Sequence, residues 1–125
     1  MDITPVTPRG KQVITGYGAG QFKIAGEVFT TSMLVFPDRT VKWDMTPQKT
    51  ISVESLQVVL EEEGEIDILL IGAAKHQLAL PPMIRGALKE VGIGLEVMDT
   101  GAAVRTYNVL LAEGRRVAAA LVLLP

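Results

Sequence analysis

No cysteine occurs in the 125 residues of this chain, which excludes disulfides, thiolate zinc sites and cysteine nucleophiles. Histidine occurs once, at His76, so only scattered carboxylates remain to hold a metal; no metal and no cofactor is expected. Charge is sparse as well. Charged residues make up 21%, the net charge is −2 and the pI is about 5.4, which provides no basic footprint for nucleic acid. Long apolar runs are also missing. The longest, VAAALVLLP at 117–125, is less than half of the roughly 20 residues a membrane helix needs. The first residues, MDITPVTPRGKQ, carry an acid and prolines and no apolar core, so they do not read as a signal peptide. A cytoplasmic protein is expected.

What the chain does have is apolar residues, at 48%, with a mean hydropathy of +0.32. Its length suits a single domain with a proper core. The apolar surplus implies either very complete burial or a patch reserved for a partner. Residues 1–14 read as a flexible lead and 15–125 as the domain.

The segment FKIAGEVFTTSMLVFPDRTVKWD reads as antiparallel strands, with turns at Gly26-Glu27 and at Pro37-Asp38-Arg39-Thr40. In SVESLQVVLEEEG, Ser52 is a plausible helix cap, Val53, Leu56, Val59 and Leu60 share a face, and Gly64 stops the helix. The pattern then changes. EIDILLIG lacks alternation, as expected for a strand covered on both faces. PPMIRGALKEVG is a helix opened by proline and closed by Gly92. GLEVMD is a strand, TGAAVRTYNVLLAEG a helix, and RRVAAALVLLP another apolar strand whose direction the pattern leaves open. Strands alternating with helices through tight connections mean crossover units on a mainly parallel sheet.

Asp99-Thr100-Gly101 is the triplet that aspartic proteases use to present a carboxylate. Such sites lie in loops between strands and face a second copy. Here Ala103, Val104, Tyr107, Leu110 and Leu111 follow at helical spacing. The triplet therefore reads as a strand-to-helix joint capped by Asp99 or Thr100. The amides of Gly101, Ala102 and Ala103 open that helix at the carboxyl edge of the sheet, where small anions bind readily.

His76 and Lys75 lie in the loop after the first buried strand, where a general base near Asp99 can be imagined, although no nucleophile accompanies it. TGYGAG precedes strands rather than a helix, so its glycines more plausibly serve positive backbone angles than a dinucleotide. Glu61, Glu62, Glu63, Glu65 and Asp67 form an acidic cluster, read as solvated surface or as a dock for a basic partner. Arg105, Thr106 and Asn108 break a helix otherwise made of Ala, Val and Leu. They mark either a site or a tie to the 73–81 loop.

The glycine-containing lead, the hairpin with VFPDRTVKW, LLIG at a strand end, PP before a helix and GIGLEVMDTGAAVRTYNVLLAEGRRVAAAL together resemble the Mth938-like family. The resemblance covers about residues 15–123 and is most specific over 94–121. That family includes bacterial proteins of undefined activity and the mitochondrial complex I assembly factor 3. It often carries Gly-Thr-Gly after the first buried strand, where this chain has Gly72-Ala73-Ala74, which weakens an anion loop here. The resemblance implies a three-layer α/β fold: a central mixed, mostly parallel sheet flanked by helices, with an added N-terminal antiparallel β-hairpin. It implies no established catalytic residues. For the mitochondrial relative it implies binding a second assembly factor and nascent complex I subunits near the inner membrane.

The expected function is thus a non-enzymatic, assembly-factor-like binding module for respiratory complex I or membrane protein assembly. Its expected partners are respiratory-complex subunits or another assembly factor, with peripheral proximity to a membrane, self-association and no nucleic acid. Phe36 and Trp43 are the candidate exposed partner surface. The alternative is a small-molecule or anion-binding protein, enzymatic or not, with Lys75, His76, Thr100, Gly101, Arg105 and Asn108 lining a site at the sheet's carboxyl edge.

Overall fold

The computed structural model of the chain describes residues 11–47, 49–62, 64–74 and 80–124. Strands β1 (Ile14–Gly18), β2 (Gln21–Ile24) and β3 (Glu27–Phe29) form a small antiparallel sheet. A second sheet holds β4 (Met33–Val35), β5 (Thr40–Lys42), β6 (Ile68–Gly72), β7 (Gly94–Met98) and β8 (Val117–Leu121), in the order β5-β4-β8-β6-β7. β8 runs parallel to β6, and β6 parallel to β7, whereas β4 is antiparallel to both of its neighbours. The mixed sheet is thus split evenly between the two kinds of pairing, because the β4–β5 hairpin joins the parallel trio through β8.

Alternation along the central strands builds a core on each face. Leu69 and Ile71 of β6, with Ala118 and Ala120 of β8, face α1 (Gln57–Leu60) and α2 (Pro82–Glu90) through Val59, Ile84 and Leu88. Leu70, Ala119 and Leu121 face α3 (Thr100–Ala112) and the small sheet through Ala103, Tyr107, Phe22 and Ile24. The alanines of β8 carry almost no side-chain volume, which lets both layers approach closely. Burying each of the larger aliphatic side chains contributes about 2 kcal/mol.

Several joints follow the sequence. Ser52 and Ser55 bond reciprocally, each hydroxyl accepting the other's backbone N–H at 3.1 Å, to start the 54–60 segment. That helix is shorter than its pattern suggests. It opens as a 3-10 turn over Glu54–Leu56, and α1 ends at Leu60, before the glutamates that would load its negative end. Proline at the start of α2 and Gly92 beyond its end (φ 75°) behave as expected. The glycine-containing segment ITGYG, placed ahead of the strands by its sequence, forms β1 itself.

Both turns of the small sheet are two-residue Ala-Gly loops: Ala19-Gly20 (φ 53° and 77°) and Ala25-Gly26 (φ 51° and 85°). Two positive φ values in a two-residue hairpin loop are the mark of a type I′ turn, whose first position favours Asn, Asp or Gly over Ala. Ala19→Asn and Ala25→Asn should therefore each stabilise the fold by about 0.5–1 kcal/mol in urea titrations. A loss of stability from both would contradict this turn assignment.

Candidate functional site

The carboxyl ends of β6, β7 and β8 meet the start of α3, the place where open α/β sheets commonly hold ligands. In this chain Thr100 occupies it. Its side chain is fully buried; Oγ1 accepts the Ala74 N–H and donates to the Val122 carbonyl, both at 2.9 Å. The Thr100 N–H donates to the Ala74 carbonyl at 3.1 Å. Three chain segments are thereby laced together by one residue. Gly72 makes the approach possible: a Cβ there would lie 3.0 Å from the Thr100 Cα and 3.2 Å from the Ala103 Cβ.

Asp99 is the helix cap, in extended conformation, with Oδ1 accepting the Ala102 N–H at 2.8 Å. The Ala103 N–H donates to the Asp99 carbonyl at 2.9 Å. Two of the amides singled out as anion donors are thus taken by the chain's own aspartate. Over Gly101 lies the Tyr17 ring, so close that a Cβ on Gly101 would come within 2.9 Å of the phenol oxygen. Arg105 donates to that same phenol oxygen at 2.9 Å.

The residues that break the α3 pattern all reach other strands. Asn108 sets its side-chain amide against the main chain of Ile14: Oδ1 accepts the Ile14 N–H at 3.0 Å and Nδ2 donates to the Ile14 carbonyl at 2.7 Å. It supplies the pair of bonds that a neighbouring strand would supply. The Thr106 hydroxyl lies 3.6 Å from the Met98 sulfur of β7. The Tyr107 hydroxyl donates to the buried Phe36 carbonyl at 3.2 Å, and burial, with the charge of Asp38 second, pushes its phenol pKa well up. The ties of Arg105, Thr106, Tyr107 and Asn108 thus run to β1, β7 and the β4–β5 turn, whereas Thr100 is the α3 residue that reaches the 73–81 loop, at Ala74. Thr100, Gly101, Arg105 and Asn108 lie along one helix, whereas Lys75 and His76 fall outside the described residues.

Phe36 and Trp43 do not form an exposed patch. They are 1% and 3% exposed. Phe36 lies beneath the Arg39 guanidinium, 4.4 Å from the ring centre, and the Trp43 indole donates to the Ser55 carbonyl at 2.8 Å. Large aromatics in this hairpin serve the core beneath it. Among the described residues the exposed large apolar side chains are Tyr17, Val28, Met83 and Val109, spread over β1, β3, α2 and α3.

The acidic run is partly neutralised within the chain. Arg39 pairs with Glu62, and Arg116 pairs with Asp67 at 2.7 Å while also donating to the Gly64 carbonyl. The Arg116 hydrogen bonds hold the Asp67 carboxyl below its ordinary pKa. A depressed native pKa means this pair's support is complete above the ordinary aspartate range and is lost as pH falls through the lowered value. NMR titration should show that depression, and Arg116→Gln should return Asp67 to the ordinary range; an unchanged titration would refute the pairing.

Two hollows that the sequence does not signal flank the end of β5. One, of about 390 Å³, is lined by Trp43, Met45 and Leu123 together with Thr30 and Thr46. The other, of about 380 Å³, is walled by Leu34, Ser55 and Val58. Both depend on chain segments that meet only in the fold, so no local motif records them.

Three layers around a mixed sheet, with a small antiparallel sheet at the N-terminal side and the α3 start laced shut, define an Mth938-like α/β domain. The chain belongs to that family: a family model described as protein of unknown function (DUF498/DUF598) matches residues 14–122. An uncharacterised protein of Rhodobacter capsulatus is 36% identical over 116 residues, 93% of this chain and 88% of that protein. The NADH dehydrogenase [ubiquinone] 1 alpha subcomplex assembly factor 3 of Danio rerio is 34% identical over 110 residues, 88% of this chain. The chain spans 63% of that factor's length and 59% of its human counterpart's. Among solved structures, an outer membrane protein from Bartonella henselae shares 41% identity with a TM-score of 0.86, covering 93% of this chain and 98% of that one. A Mth938-like domain from Bordetella pertussis shares 28% identity with a TM-score of 0.79, covering 98% of this chain and 92% of that one. Among the described residues no helix is long and apolar enough to cross a membrane.

Proposed function

We propose that this chain is a protein-binding module that assists the assembly of respiratory complex I, working beside the membrane and carrying out no chemistry of its own. The observation that carries this reading is its similarity, across 88% of its length, to an assembly factor of the complex I alpha subcomplex. The chemistry of the carboxyl edge supports it. An anion bound at the α3 start would have to compete with the Asp99 carboxylate for the Ala102 amide, and Thr100 has both of its hydrogen-bonding functions engaged. Binding of partner proteins therefore ranks ahead of small-molecule binding.

Deleting the gene in the native cell tests this. Native-gel separation of membranes should show less mature complex I and an accumulation of partly assembled species, both reversed by the wild-type chain. Unchanged complex I levels and activity in the deletion strain would refute the assembly role.

A further inference from the structure

The β4–β5 ladder leaves one row of main-chain groups unused. Phe36 donates its N–H to the Arg39 carbonyl at 2.7 Å and Trp43 donates to the Ser32 carbonyl at 2.9 Å, so residues 39 and 43 face β4. Antiparallel bonding alternates. Thr40 and Lys42, opposite Val35 and Met33, therefore turn their N–H and C=O groups outward along the sheet's free edge. Among the described residues no hydrogen bond takes up these main-chain groups. The two hollows share Lys42, Trp43 and Asp44. One includes Leu34, from the core beneath α1 and α2; the other includes Leu123, packed against the core beneath α3, beside Met45 of the core beneath α1 and α2. A strand added beside β5 would thus lie between two hollows that share Trp43, within reach of its side chains. Lys42 has no carboxylate partner among the described residues, whereas the neighbouring Asp44 is paired with Lys49.

We propose that the β5 edge binds an extended segment of a partner protein as an added strand, with apolar side chains in the two hollows and an acidic residue against Lys42. This rests on the protein-binding reading and names the surface that serves it. Strand addition fits the geometry because main-chain groups supply affinity at the edge while the flanking hollows supply selectivity.

The test uses the full-length chain and a displayed library of random nonapeptides, with NMR following the Thr40 and Lys42 amides. Selected peptides should pair two apolar residues with a nearby Asp or Glu, and should protect both amides from exchange. Lys42→Pro removes an outward N–H without touching the β4 ladder, and should weaken binding at least about tenfold. Lys42→Glu, at an exposed side chain, should keep the fold and shift the selected acids to Lys or Arg. Peptides that perturb Met83 or Val109 instead of Thr40 and Lys42, or that ignore both variants, would overturn the proposal. So would amides already protected in the free chain, whether released by deleting residues 1–10 or by dilution, because the edge would then belong to the chain itself or to a second copy. No complex I phenotype in the deletion strain, with peptides bound at β5, would reject the assembly role alone; a complex I phenotype with no peptide at β5 would reject this edge alone.

Discussion

Thr100→Val should destabilise the domain by about 2–4 kcal/mol in urea unfolding, because a near-isosteric change strands two buried main-chain groups at once. The Ala74 N–H loses its acceptor and the Val122 carbonyl loses its donor, at a position with no exposure to water. Thr100→Ser keeps the hydroxyl and gives up one methyl, so it should cost only about 1 kcal/mol. Equal losses for the two variants would mean that packing, rather than the hydroxyl, holds the three strand ends together.

Asn108→Leu should cost a similar amount, about 2–4 kcal/mol, but with a different spatial signature. Ile14 is 3% exposed, and the Asn108 amide satisfies both its N–H and its C=O. Leucine keeps the bulk and removes both partners. Hydrogen exchange should accelerate through β1, β2 and β3 while β6 and β8 stay protected, because the small sheet is fastened to α3 at this point. Uniform acceleration across both sheets would contradict that local role.

The carboxyl half of the fold was legible because its elements announce themselves locally. β6 and β8 read as runs without alternation, α2 is bounded by Pro82 and Gly92, and α3 by Asp99 and Gly114. β1 was not legible: ITGYG has the glycines of a loop and becomes a strand through pairing with β2 and through the Asn108 side chain. The attachment of β4 to β8 also depends on distant residues, which is why the direction of the last strand stayed open. Asn108 stands out in sequence as an intruder in an apolar helix, but only half of the reason is visible there. A local rule is broken there, but the partner lies 94 residues away along the chain. Phe36 and Trp43 are buried although the sequence suggests surface, because hairpin aromatics look alike in sequence whether they cover a core or face a partner. The β5 edge had no signal at all, since free main-chain groups and hollows depend on strand order rather than residue type.

Physical association in the native cell is the most direct readout of an assembly role. Tagged full-length chain, crosslinked in living cells and purified under denaturing conditions, should enrich complex I subunits over all other membrane and soluble proteins, more strongly while the complex is being built than after it is complete. Enrichment of nothing beyond the chain itself, or of proteins unrelated to the respiratory complex, would contradict it.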